Sequence, residues 1–221
     1  DWRRAGRATP SHSTLWLDGF SSSRVAPASE KSGKADQLLS VPSRVQCTFS
    51  NLEDGKRLEL SHDGYLPHYG LTHARIIDIS LDGRNIVGED YIAAVDDADK
   101  RLFDTQSKSQ PEGISYSIRF HLHPDIDASV DLGGGAVSMV LKSGEVWVFR
   151  HDGQATLSLD TSVYLETGRL KPRAAQQVVL SSAAIDYASR VRWSLAKAQD
   201  TPDAVRDLTP NDPAGGYQTT Q

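Results

Sequence analysis

The feature that most constrains this chain is a strict two-residue alternation of apolar and polar side chains. Ile114, Tyr116, Ile118, Phe120 and Leu122 are separated by single polar residues. Because side chains of a β-strand point alternately to its two faces, this pattern predicts a strand with one face buried. The run at 190–195 repeats the alternation, and 146–149 lies between two glycine-containing turns.

Similar short runs continue along the chain and predict an all-β protein. The further strand candidates are 12–17, 43–49, 57–61, 71–79, 85–92, 136–142, 155–159, 162–165 and 175–181. Turn signals between the runs are Asp54-Gly55, Asp63-Gly64, Asp82-Gly83 and the glycines at 133–135. No stretch longer than about 12 residues has helical periodicity. We therefore predict an all-β fold without helices, either an antiparallel β-sandwich or a barrel.

The sequence also indicates where the domain ends. Residues 1–197 form the predicted domain, with a long surface loop over 21–36. Residues 198–221 contain three prolines and a polar end, which predicts a flexible tail. The chain begins at Asp1 without Met or a signal peptide, so we expect a sandwich that is incomplete at its N-terminus. The alternative is a mature protein from which a leading segment has been removed by processing.

Composition excludes several classes of protein. The 221 residues carry 24 Lys and Arg against 29 Asp and Glu, and the net charge of −5 argues against a dedicated nucleic-acid binder. No apolar run approaches the roughly 18 residues that span a bilayer, so no membrane partner is expected. The single cysteine, Cys47, excludes an internal disulfide framework and a cysteine-based zinc cluster.

The loop that precedes one predicted strand is rich in titratable groups. His62 and Tyr65 lie in this loop, and His73 and Arg75 share one face of the strand that follows. Loops carried on a sandwich are common places for binding sites, so one interpretation brings His62, Tyr65 and His73 together as a polar site. The alternative is that these side chains only cap the sheet edge.

Two other histidine-containing segments are weaker signals. His121 and His123 are two residues apart, so on a strand they would point to one side and could bind a metal ion or remain ordinary surface residues. His12 follows an arginine-rich segment containing Arg3, Arg4 and Arg7, which would favour an anionic ligand or be a solvated surface.

Several of these segments, taken in order, resemble the C-terminal region of heparinase II/III-like proteins. The segments are Trp2-Arg3-Arg4-Ala5, Ala8 through Leu15, Asp18-Gly19, Ser21 through Arg24, His62-Asp63-Gly64-Tyr65, Gly70 through Arg75, Gly88-Glu89-Asp90 and Arg119 through Pro124. The resemblance covers about residues 1–195.

The resemblance implies a bacterial, periplasmic or cell-envelope polysaccharide lyase, in which an N-terminal α/α toroid domain precedes the β-sandwich. Its chemistry is β-elimination on a uronate-containing polysaccharide such as a glycosaminoglycan. The resemblance and the residue types together select His12, His73 and Tyr65 as catalytic candidates, and Arg3, Arg4, Arg7, Arg75 and His62 as substrate-binding candidates.

The resemblance also sets limits on this chain. Its partners would be an acidic polysaccharide and the toroid domain, and without the toroid we expect the isolated chain to be inactive. His12 matches a family histidine near a zinc ion or the cleft, but its partner ligands would precede Asp1. We therefore expect no cofactor and no metal for this chain, with zinc conceivable only in a longer protein.

Two alternatives remain open from the sequence. A non-catalytic carbohydrate-binding or scaffolding sandwich would stack Trp2, Trp16 or Tyr65 on sugar rings. A stand-alone metal-dependent enzyme would use His121 and His123.

Overall fold

The structure is a computed structural model and describes residues 2–26, 37–169 and 171–198. Within these ranges the chain forms fourteen strands and three short α-helices. The first strands are β1 (Leu15–Leu17), β2 (Arg24–Val25), β3 (Leu38–Ser40), β4 (Val45–Asn51), β5 (Gly55–Tyr65), β6 (Leu71–Ser80) and β7 (Asn85–Ala93). The later strands are β8 (Ile114–His121), β9 (Asp127–Asp131), β10 (Ala136–Val140), β11 (Val146–His151), β12 (Thr156–Tyr164), β13 (Arg173–Ala184) and β14 (Ala188–Lys197). The predicted tail, and the part of the predicted loop from 27 to 36, fall outside the described residues.

The strands form a sandwich of two antiparallel sheets, as predicted. The large sheet has the order β4-β5-β6-β7-β14-β11-β10-β9, and the small sheet has the order β1-β8-β13-β12. A separate two-stranded ribbon joins β2 to β3. All neighbouring strands in the described chain run antiparallel. Some neighbours, such as β6 and β7, are joined by a short turn, and Gly83 in that turn has a φ of 67° that suits glycine.

The core lies between the two sheets and follows the alternation read from the sequence. From the small sheet it receives Leu15, Leu17, Tyr116, Ile118, Val178 and Leu180, and from the large sheet Tyr65, Leu71, Ile92, Val137, Phe149, Val191 and Trp193. Each fully buried aliphatic or aromatic side chain contributes about 1.5–3 kcal/mol relative to exposure. The burial of this set therefore fixes the register of both sheets.

The prediction of a helix-free chain was wrong. Helices span Trp2–Ala5 (α1), Leu66–Tyr69 (α2) and Asp97–Ser107 (α3), and short 3₁₀ turns occupy Thr9–Ser11 and Leu132–Gly134. Helix α2 makes the reversal between β5 and β6, so Asp63-Gly64 lies inside β5 rather than in a turn. None of the described helices is both long and apolar enough to cross a lipid bilayer.

Candidate functional site

Four polar side chains meet on the inner face of the large sheet, where apolar packing would otherwise continue. His62 comes from β5, His73 and Arg75 from β6, and Asp90 from β7. The strand register sets His62 opposite His73 and Arg75 opposite Asp90. We call these four residues the buried polar cluster. His73, Arg75 and Asp90 are each less than 9% exposed.

Asp90 is the centre of this cluster because it accepts three hydrogen bonds. Its Oδ1 accepts from His73 Nε2 at 2.7 Å and from Arg75 Nε at 2.8 Å, and its Oδ2 accepts from Trp193 Nε1 at 2.9 Å. Burial alone would raise the pKa of Asp90, but the charge of Arg75 and the hydrogen bonds outweigh burial and lower that pKa. Asp90 is therefore ionised and balances the buried guanidinium.

The two histidines form a directed chain of hydrogen bonds toward Asp90. The Gly64 amide donates to Nδ1 of His62 at 3.2 Å, so a neutral His62 carries its proton on Nε2. That nitrogen lies 3.3 Å from His73 Nδ1, which accepts, and His73 then donates from Nε2 to Asp90. Burial, followed by the influence of His73, lowers the pKa of His62 to about 4.

Arg75 connects the cluster to the small sheet. Its Nη1 donates to the Ser13 carbonyl at 2.7 Å, and its guanidinium lies 5.6 Å from the Phe120 ring centre and 5.8 Å from that of Trp193. Arg75 was predicted to bind substrate, and in the structure it holds the segment that leads into β1. Its buried Nη2 has no hydrogen-bond partner.

Tyr65 lies next to the cluster but inside the core. Its ring centre is 5.5 Å from that of His62, its side chain is fully buried, and its hydroxyl donates to the Leu15 carbonyl at 2.9 Å. Burial raises the pKa of this phenol well above its ordinary value. The predicted grouping of His62, Tyr65 and His73 is therefore present, but Tyr65 has no surface with which to contact a ligand.

The other predicted residues lie on the N-terminal segment. His12 is exposed and follows the 3₁₀ turn Thr9–Ser11. Arg3 and Arg4 belong to α1, but their side chains are outside the described part of the structure. Arg7 is exposed and lines a groove on the surface. The three catalytic candidates, His12, His73 and Tyr65, thus occupy one exposed and two buried environments.

The groove that Arg7 lines is a concave surface with two arginines and a histidine around it. It has a volume of about 560 Å³ and is lined by Arg7, Ala8, Gly19, Phe20, Ser21, Ser23, Arg24, Val25, Leu39 and His68. An adjoining cavity of about 210 Å³ shares Ser21, Arg24 and His68 and continues past Ser40, Ser43 and Asp63. We call the two together the basic groove.

Sequence reasoning missed most of this groove. Phe20 is 38% exposed, and its ring lies 4.9 Å from His68 and 5.2 Å, edge-on, from Tyr69. Arg24 and His68 are far apart in the sequence, and only the short helix α2 brings His68 to the N-terminal segment. The available signal was the position of Ser21 through Arg24 in a glycine- and serine-rich segment.

The described residues do not provide a metal site. No three His, Cys, Asp or Glu side chains converge in a metal-binding arrangement within the described ranges. Both ring nitrogens of His121 are already bonded, one to the Pro10 carbonyl and one to the Ser162 hydroxyl. The involvement of zinc through His12 in a longer protein stays a prediction.

Comparison with known proteins gives a consistent picture. A sequence model of the family named "Heparinase II/III-like, C-terminal" matches residues 1–194. FtsZ-localized protein C of Caulobacter vibrioides is 27% identical over 184 residues, which cover 83% of this chain and 29% of that protein.

Solved structures share the fold at lower identity. Heparan sulfate lyase HepC from Pedobacter heparinus superposes with a TM-score of 0.60 at 12% identity, covering 91% of this chain and 26% of the lyase. A heparinase III crystal structure gives a TM-score of 0.59, also at 12% identity, covering 86% of this chain and 24% of that chain. The chain therefore spans less than a third of the length of these relatives.

Proposed function

Because this chain belongs to the heparinase II/III-like C-terminal family, we propose that it forms one wall of a cleft that binds an acidic polysaccharide. The observation that carries this proposal is the basic groove. It places two arginines, a histidine and an exposed aromatic ring around one concavity on the fold that the heparan sulfate lyases share.

The side chains of the groove suit a sugar that carries a carboxylate. Guanidinium groups bind carboxylates through paired, charge-assisted hydrogen bonds, so Arg7 and Arg24 provide the charge. The exposed Phe20 ring, which contacts His68, offers an apolar face for a sugar ring. Each hydrogen bond to a charged group contributes about 1.5–3 kcal/mol when well desolvated, and less on an open surface.

In the whole protein we propose β-elimination on a uronate-containing polymer. A base removes the proton at C5, the C–H electrons form the C4–C5 double bond, and the C4–O bond breaks as an acid protonates the leaving oxygen. Positive groups stabilise the charge that develops on the carboxylate. Arg7 and Arg24 are suited to that task, and exposed His12 remains the catalytic candidate that a substrate can reach.

The buried polar cluster takes a supporting part in this proposal. His73 and His62 bond to each other and to Asp90, and Arg75 holds the Ser13 carbonyl next to His12. Such a network fixes the start of β1 without touching a substrate. One catalytic candidate on one wall cannot supply base, acid and charge neutraliser together, so the isolated chain is expected to bind without cleaving.

The test is binding of defined polysaccharides to the purified chain by isothermal titration calorimetry. We expect heparan sulfate or hyaluronan oligosaccharides to bind and uncharged dextran not to bind, with affinity that falls as salt increases. Replacing Arg24 by alanine should weaken binding about five- to tenfold. Arg101→Ala is the matched control, because Arg101 is an exposed arginine of α3 that is not among the residues lining the groove.

Two results would contradict the proposal. If dextran bound as tightly as the acidic polysaccharides, charge would not determine binding. If Arg24→Ala left the affinity unchanged, the basic groove would not be the binding site. The catalytic half is tested separately, by joining the chain to a toroid domain of a characterised lyase and following absorbance of the unsaturated uronate product. Loss of that signal in His12→Ala, with binding retained, is the expected outcome.

A second candidate is a non-catalytic scaffolding sandwich. It is favoured by the curated relative, whose name records localisation with FtsZ rather than an enzymatic activity, and which is more similar in sequence than the solved lyases. A fused protein that binds the polysaccharide and never yields unsaturated product would support this second candidate over the lyase.

The cellular location that accompanies the lyase function is the bacterial periplasm or cell envelope, where acidic polysaccharides are encountered. Fractionation of cells that express the full-length protein tests this part of the proposal. Recovery in the cytoplasmic fraction alone would contradict it and would agree better with the scaffolding candidate.

A further inference from the structure

A second concavity lies on the outer face of the small sheet, separate from the basic groove. It has a volume of about 540 Å³ and lies between the N-terminal segment and β12. Its lining consists of Trp2, Ala5, Gly6, Pro10, Ser11, His121, Thr161, Ser162, Val163, Tyr164, Leu165 and Gln177. We call it the edge cleft. It shares no residue with the basic groove.

The rim of the edge cleft is apolar and exposed. Trp2 is 51% exposed on one side, and Val163, Tyr164 and Leu165 are 48%, 36% and 48% exposed on the other. Monomeric domains rarely gather exposed large apolar side chains around one concavity unless the concavity binds something. Among the lining residues whose side chains the structure describes there is no Asp, Glu, Lys or Arg, whereas the basic groove contains two arginines.

The polar groups at the base of the cleft are already satisfied within the chain. His121 donates from Nε2 to the Pro10 carbonyl at 3.1 Å and accepts at Nδ1 from the Ser162 hydroxyl at 2.9 Å. Gln177 donates to the Thr161 carbonyl at 3.0 Å and accepts from Arg119 at 3.3 Å. A charged or heavily hydroxylated ligand would find few matching partners among these side chains, so an apolar group fits better.

The backbone of β12 provides hydrogen-bonding groups for a ligand that the side chains of the cleft do not provide. In the described chain β12 pairs with β13 on one side and with no strand on the other. The cleft is lined by all five consecutive residues 161–165, which point alternately to the two faces, so it also reaches the main chain between them. An unpaired strand edge beside an apolar pocket is the arrangement that binds an extended peptide by strand addition.

We propose that the edge cleft binds an extended, uncharged segment of a partner protein, which adds as a strand to β12 and inserts an apolar side chain between Trp2 and Leu165. Main-chain hydrogen bonds to β12 give such a segment its orientation, and the apolar rim selects its side chain. The inference is independent of sugar binding, because it concerns a different surface.

The experiment is an NMR titration of the ¹⁵N-labelled full chain with a capped, uncharged heptapeptide of alternating threonine and valine with a central leucine. We expect saturable shifts of the Trp2 indole and of the β12 amides, with a Kd of about 1 mM or tighter. Leu165→Asp should weaken binding at least fivefold. Leu81→Asp, which changes another exposed leucine in the turn after β6, should leave it unchanged.

The same peptide, N-methylated at alternate residues, provides a second test that requires no substitution in the protein. It keeps every side chain but loses backbone donors, so we expect its binding to be abolished. Equal binding of the methylated peptide, or shifts spread away from β12 and Trp2, would overturn the proposal. So would a hyaluronan hexasaccharide that shifts the same signals while the peptide shifts none, since the cleft would then be a sugar site.

Discussion

His62 makes the stability of the domain depend on pH. Its pKa is lowered from 6.5 to about 4 in the folded chain, so the unfolded chain binds a proton first as pH falls. The stabilising effect of a neutral His62 is complete above pH 6.5 and is lost as pH falls toward 4. We expect the free energy of unfolding to fall by about 2 kcal/mol between pH 7 and pH 4.5 on this account.

Chemical denaturation at the two pH values measures this effect. His62→Gln should flatten the pH dependence, whereas His151→Gln, which alters a half-buried histidine outside the cluster, should leave the slope as it is. An unchanged slope in His62→Gln would mean that other groups account for the acid sensitivity.

The residues of the buried polar cluster also show how much of the site could be predicted from the sequence. The spacing of His73 and Arg75 predicted a shared strand face, and the loop composition predicted that His62 and Tyr65 lie near them. Asp90 and Trp193 could not be placed beside them, because their contacts depend on the register of β7 and β14 against β6. Register emerges from the packing of the whole sheet and is not encoded within any one strand.

At the scale of elements, strands were predicted better than helices and turns. The alternation identified β8 and β14, while 155–159 and 162–165 proved to be one strand, β12. Asp63-Gly64 has the composition of a turn, but the Asp63 carboxylate accepts from the Arg44 amide and the Ser43 hydroxyl, which keeps this segment within β5. A local turn preference was thus outweighed by contacts between strands.

Helix α3 was missed because its sequence has little helical periodicity. Only Ala98, Leu102 and Phe103 of its residues are apolar, and Phe103 alone is buried. The helix depends instead on its first turn, where the Asp96 side chain accepts from the amides of Ala98 and Asp99 at 3.0 Å. The Asp99 side chain returns a bond to the Asp96 amide and completes a capping box.

Asp96→Ala tests this dependence of α3 on its cap. Losing the capping acceptor leaves amides at the start of the helix unpaired, so we expect a loss of about 1 kcal/mol in the free energy of unfolding. Urea denaturation measures it. Asp97→Ala removes an exposed neighbouring acid that caps nothing and should cost only a few tenths of a kcal/mol. Equal effects of the two substitutions would contradict the capping role.

At the scale of the whole molecule, the two sheets differ in size. Four strands of the small sheet face eight of the large one in the described chain. The inner face of the large sheet near β4 consequently carries apolar side chains that the small sheet leaves exposed. Val45 is 71% exposed, Phe49 60% and Ile79 41%, and Cys47 is exposed between the first two. We call this surface the overhang.

The overhang ends at the edge strand β4, whose own side chains are uncharged. Strand β4 contains neither a charged residue nor a proline, and in the described chain only β5 pairs with it. Natural sheets usually protect such edges with charges, prolines or bulges, because unpaired main-chain groups beside apolar side chains promote association. An uncharged edge next to an apolar face therefore indicates a surface that another polypeptide covers.

We accordingly expect the isolated chain to self-associate through the overhang as its concentration rises. Multi-angle light scattering should show an average mass that increases with concentration, because association removes apolar surface from water. Phe49→Lys should shift the chain toward monomer, since a charge on the edge opposes strand pairing. Leu81→Lys adds the same charge at an exposed site outside the overhang and should leave association unchanged. A constant monomeric mass for the unmodified chain, or an equal response of the two variants, would show that the overhang is not the associating surface.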